Sequence, residues 1–132
     1  FTISFFVEIR PYSFTILIVT FFLTSIMFSL AGFINAVFAK TFDDIAIVPN
    51  FVLLPLTYLG GMFYSIEILP SFWRGLSSFN PIFYMMDSFR LGFLGIGSIE
   101  LWKAFMVPIV MIILLALIAN YLLNKGVSIK TE

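Results

Sequence analysis

The side chains able to carry proton, metal or anion chemistry stand at the edges of this chain's apolar runs. Asp43 and Asp44 are adjacent, Asp87 and Arg90 lie three apart, and Glu67, Arg74, Glu100 and Lys103 are spread around them. Adjacent carboxylates do not share a helix face, so general acid–base or metal work by Asp43 and Asp44 needs a third partner and an enclosed site. The plainer reading of Lys40-Thr41-Phe42-Asp43-Asp44 is a solvated turn at a membrane surface. Contact with a partner comes second and catalysis a distant third. Asp87 and Arg90 have the spacing of a helical ion pair and are expected to bond to each other. Gly92-x-x-Gly95-x-Gly97 has the look of a phosphate loop, but no Lys-Ser/Thr follows it and no strand precedes it. It reads as a glycine-rich helix exit, and no nucleotide site is expected. The chain holds no cysteine and no histidine. Disulfide scaffolds, thiolate and imidazole metal sites, and histidine-based nucleophiles or proton relays are therefore outside its repertoire. No catalytic residue, cofactor or metal is expected.

What must position these groups is lipid-embedded helix. The composition is 61% apolar, 19% aromatic and only 11% charged, with a mean hydropathy of +1.12. Soluble domains are nearer ~45–50% apolar and ~25% charged, so an integral membrane protein follows. Formal net charge is zero and no basic face is visible, so nucleic acid is not an expected partner. The chain opens on Phe1 with no basic leader, which predicts a fragment with sequence missing upstream.

Taken in order, residues 1–12 are apolar but too short to span, and Glu8, Arg10 and Pro11 end them. They read as an interfacial segment. Ser13 is a candidate N-cap for an uncharged run of about 13–39, which at ~1.5 Å per residue reaches about 40 Å, enough to cross a ~30 Å hydrocarbon layer. Ser25, Ser29, Gly32 and Ala36 form a face of small residues on it, read as intramolecular helix packing ahead of a dimer contact. Asn35, its one strongly polar side chain, is expected to bond a neighbouring helix. A second uncharged run, about 46–64, carries Pro49 and Pro55, so a kink is expected, and Gly60-Gly61 loosens its end. Pro70 suits the start of a short helix to about Ser77, with Phe72 and Trp73 as interface anchors. Asn80-Pro81 is a stronger start signal, an N-cap followed by proline at the first helical position. Ile82, Met85, Met86, Phe89 and Phe93 then mark an apolar stripe. A last uncharged run, about 104–123, is stopped by Asn124-Lys125-Gly126. The expected fold is an all-α membrane protein: three transmembrane helices plus a re-entrant or interfacial helical hairpin, about 65–97, between the second and third. The turn at 40–44 and the C-terminus share one side. Lys40, Lys125 and Lys130 on that side do not outweigh Arg10, Arg74, Arg90 and Lys103 on the other, so charge leaves orientation open.

No span carries Asp, Glu, Lys, Arg or His. Proton- or ion-coupled carriers usually need such groups at membrane depth, so energy for transport would come from elsewhere.

The order AGFINAVFAKTFDD, PLTYLGGMFYSIEILP, FW, NPIFYMMDSFRLGFLG resembles the C-terminal half of ABC-2-type transporter permeases, bacterial inner-membrane export subunits. The likeness covers nearly all of residues 1–132. It rests on the Pro-Leu-x-x-Leu-Gly-Gly block, Leu69-Pro70, and Asn80-Pro81 followed by Phe89-Arg90. The resemblance implies the fourth to sixth spans of six, two permease subunits pairing as a homodimer, and a separate ABC ATPase subunit that hydrolyses ATP. It places Lys40, Thr41, Phe42, Asp43 and Asp44 in the cytoplasm near that ATPase. Gly60, Gly61, Glu67, Pro70, Asn80, Pro81, Asp87 and Arg90 fall in an external re-entrant hairpin, which the Pro55 kink and the Gly60-Gly61 break would let move as a lid. Two other readings remain: a secondary carrier or channel fragment, and a non-transporting membrane assembly subunit.

Overall fold

The computed structural model describes residues 11–62 and 68–126. Glu67, most of the expected interfacial segment and the VSIKTE tail lie outside these residues. The described chain is helical: α1 (Phe14–Phe38), α2 (Phe42–Ile47), π-helical turns (Val48–Leu53), α3 (Leu54–Leu59), α4 (Ser71–Ser77), α5 (Pro81–Leu94) and α6 (Leu101–Asn124). Three stretches are long and apolar enough to cross a membrane: α1, the continuous run Phe42–Leu59, and α6.

α1, α5 and α6 form the packed body. Ser13 caps α1 by accepting from the Ile16 amide. The Ser13 N–H donates to the Gly92 carbonyl at 3.0 Å and the Tyr12 N–H to that of Phe93 at 3.4 Å. Close approach here depends on Gly92, since a Cβ at this position would lie 2.6 Å from Leu17 Cδ2. Beneath it, Thr20 of α1, Met85 and Ser88 of α5, and Ala104 and Pro108 of α6 meet in a dry junction, each buried. Residues near the starts of α1 and α6 meet there, so these two helices run parallel. α5 ends as the glycines suggest, with Gly95 at φ +71° as a left-handed cap.

Among the described residues, the small-residue face packs against nothing. Ser25, Ser29, Gly32 and Ala36 are all exposed, and a Cβ on Gly32 would meet nothing within 4 Å. The expected intramolecular packing along it is therefore not found among the described residues. α1 instead uses the face of Thr20 and Met27.

The second span differs from expectation at both ends and in the middle. It starts at Phe42, because Thr41 and Asp44 form a reciprocal capping box, and it stops at Gly60, whose amide turns back to the Thr57 carbonyl at 3.1 Å. Around Pro49 and Pro55, where a kink is expected, the helix carries widened turns, with the Leu54 N–H reaching back five residues to the Pro49 carbonyl. A proline ring in a regular helix collides with the carbonyl one turn earlier, and a wider turn opens that space. No residue of Phe42–Leu59 is buried, and this span packs chiefly through α3 against α5 and α4.

Gly92→Val should cost about 1–3 kcal/mol by overpacking against Leu17, read as a lower melting temperature in lipid nanodiscs. Gly75→Ala, in open space on α4, should leave stability unchanged or slightly raised.

Candidate functional site

The sequence-predicted residues fall into two groups at opposite ends of the spans. At one end, the last turn of α1 and the start of α2 make a tight, polar-capped bend. Asp44 Oδ2 accepts from the Lys40 amide at 3.0 Å and the Thr41 amide at 2.9 Å, while Thr41 Oγ1 accepts from the Asp44 amide at 3.3 Å. Proline at position 49 leaves the Ile45 carbonyl without its helical donor, and Asn35 Nδ2 fills that place at 2.9 Å. This is the neighbouring-helix bond expected of Asn35. The bend is thus braced from both sides, and it holds Phe42 outward, 92% exposed. Asp43 and Lys40 are also exposed. A groove of about 380 Å³ opens beside it between Phe38, Lys40, Asp44 and Ile47. The carboxylates do not converge with a third ligand. Among the described residues no group of acidic side chains could hold a metal.

At the other end, α5 gathers Asn80, Asp87 and Arg90. Asn80 Oδ1 caps α5 through the Ile82 amide at 3.0 Å, with Pro81 at the first helical position, as the sequence predicts. Its Nδ2 also donates across to the Leu56 carbonyl at 2.6 Å. Arg90 Nη2 donates to the Gly61 carbonyl at 3.1 Å. Asp87, only 2% exposed, accepts from the Ser98 amide with both oxygens, at 3.0 and 3.1 Å, and from the Ile99 amide at 3.1 Å. The expected Asp87–Arg90 pair is therefore corrected: each side chain serves a different stretch of main chain. The reason is local supply and demand. The non-helical residues after Gly95 present amides with no helical acceptor, and the broken end of α3 presents carbonyls with no helical donor.

Pro70 precedes α4 and occupies its cap position. Phe72 and Trp73 are exposed and stack edge to face, centroids 5.3 Å apart. Before α6, Glu100 accepts from the Trp102 indole N–H and pairs with Lys103 Nζ at 3.2 Å. First the indole and then the ammonium hold its carboxyl below the ordinary glutamate range. Between α1 and α5 lies a wholly apolar groove of about 360 Å³, walled by Leu17, Ile18, Phe21, Phe22, Phe89 and Phe93. Sequence reasoning missed the Thr41–Asp44 capping box, whose spacing was readable. It also missed Thr20, Ser98 and Ile99, which no local pattern marks.

Residues 1–94 match the ABC-2 type transporter family. The chain belongs to that family. It is 51% identical over 127 residues to the inner membrane transport permease YadH of Escherichia coli strain K12, covering 96% of this chain and 50% of the relative. The same identity and coverage hold for the proteins of that name from Escherichia coli O157:H7 and Shigella flexneri. The chain thus spans about half the length of the curated relatives it matches. No solved structure matches it significantly. With its membrane-capable helices, this ABC-2 family chain is a multi-pass inner-membrane protein.

Asp87→Ala removes the acceptor for three contacts and should lower stability by about 2–4 kcal/mol, hydrogen bonds to charged groups being worth ~1.5–3 each but not additive. Asp87→Asn keeps one acceptor oxygen and should lose roughly half as much. Thermal melts of both variants in nanodiscs check the order.

Proposed function

We propose that this chain is the C-terminal half of the permease subunit of an ATP-driven ABC exporter. It forms the translocation pathway with a second permease copy and is energised by a separate ATPase subunit. Family membership supports the transporter class. The observation that carries the energetic reading is the braced bend at Lys40–Asp44, which offers an aromatic side chain to a partner at the end opposite the α4–α5 hairpin. The spans themselves supply no ionisable group at depth, so ion coupling has no local machinery. In this reading the bend is cytoplasmic and Phe42 docks on the ATPase, flanked by Lys40, Thr41, Asp43 and Asp44. The hairpin then caps the pathway from outside.

The absence of cysteine makes topology directly testable. Thr41→Cys should react only with reagents applied from the cytoplasm, and Ser71→Cys only from outside. Both labelling from one face would end the three-span arrangement. In the full-length permease, Phe42→Ala should weaken retention of the ATPase subunit about tenfold, as expected when a buried phenyl worth ~1.5–3 kcal/mol is lost from an interface. If no ATPase ever accompanies the full-length protein, the reading fails.

A further inference from the structure

The second span is built unlike its neighbours. α5 is fastened into the body by the Ser13–Gly92 and Tyr12–Phe93 main-chain bonds and by the junction at Thr20, Ser88 and Ala104. The run Phe42–Leu59 has no buried residue. It is tied at its inner end by the Asn35 amide on the Ile45 carbonyl. At its outer end it is tied by Asn80 on the Leu56 carbonyl and Arg90 on the Gly61 carbonyl. Between the two ties lie the π-helical turns, where Leu54 N–H bonds Pro49 O.

We propose that this span is a two-position element. The Asn80 and Arg90 side chains are a latch that holds its outer half in the present register, and the π-helical turns Val48–Leu53 are the hinge. A π turn carries one more residue than an α turn and is rare, appearing mostly as single widened turns. Shifting every five-residue bond of the segment to four, the last of them the Leu54 N–H from the Pro49 carbonyl to that of Asn50, restores α register. Everything beyond the hinge then rotates by about 100°, one residue's worth of helical turn. That rotation swings the Leu56 and Gly61 carbonyls away from their donors, so the latched and rotated states exclude each other. Pro55 has no N–H to re-pair when the register changes, and its ring, which would press on the Phe51 carbonyl in α register, weights the pair of states toward the widened, latched one. The glycines suit the latch. Gly61 sits at φ +74°, and a Cβ on Gly60 would press to 3.0 Å from Ile82 Cγ2 and to 3.2 Å from the Leu56 carbonyl itself.

The inference deepens the exporter reading by naming the part that moves, and it rests on that reading only for the use of the movement. The test needs neither ATPase nor cargo. The full-length protein in nanodiscs carries spin-label pairs at exposed positions. Leu54→Cys with Ile113→Cys reports the segment beyond the hinge, and Phe42→Cys with Leu123→Cys the segment before it. Arg90→Met keeps the apolar stem and removes the donor. Asn80→Ser keeps a capping oxygen but is too short to reach Leu56. The double variant should shift the outer distance by about 5–8 Å, from a ~100° turn of a helix ~10–12 Å across, and leave the inner one in place. Arg90→Met alone should shift part of the population the same way. An unchanged outer distance in the folded variants overturns the proposal, as does an equal change at both ends. Either result leaves the ATPase co-purification untouched, so the two readings fail separately.

Discussion

A backbone polar group inside a bilayer has no water to turn to, and this chain's architecture follows from that single constraint. Regular helices satisfy themselves. Wherever proline or glycine interrupts one, a carbonyl or amide is released and something must answer it. Asn35 answers the Ile45 carbonyl freed by Pro49. Asn80 answers Leu56, whose helical donor Gly60 has turned to Thr57. Asp87 answers the Ser98 and Ile99 amides on the way into α6. The polar side chains of a very apolar chain are thus spent largely on its own main chain, which is why so few of them converge on anything resembling a reactive centre.

The distribution of these bonds divides the structure. α1, α5 and α6 interlock through small and buried side chains at Thr20, Ser88, Gly92, Ala104 and Pro108. Such packing gains dispersion contacts that lipid does not match, and it resists deformation. The second span lacks this and leans on α3's contacts and on side-chain donors at its two ends. Hydrogen bonds between a side chain and a carbonyl exchange more easily than a close-packed helix seam separates. A stiff body and a loosely held neighbour are the ingredients of a gate.

Much of this was legible in the residues, because bilayer thickness imposes long uncharged runs and caps have short-range signatures. Ser13, Asn80-Pro81 and Gly95 mark their helix ends as the sequence implies. The Thr41–Asp44 box was equally local and moved the second helix's start from about residue 46 to Phe42. The failures share a cause. Pairing Asp87 with Arg90 considered only their own helix, whereas the main chain that claims each of them comes from 11 and 29 residues away. Reading Ser25, Ser29, Gly32 and Ala36 as a packing face required knowing which side of α1 meets its neighbours, and α1 turned its Thr20–Met27 side inward. Long-range geometry of this sort leaves no trace in local spacing.

One property of the Asn80 and Arg90 contacts bears on how this molecule can change over generations. Both acceptors are carbonyl oxygens of the main chain, which every residue type possesses. Side chains along Leu54–Leu59 can therefore drift to suit a thicker, thinner or differently composed bilayer without erasing the attachment points. The vulnerability is concentrated in two donors on another helix. The lipid-facing surface can vary while the fastening rests on those two side chains.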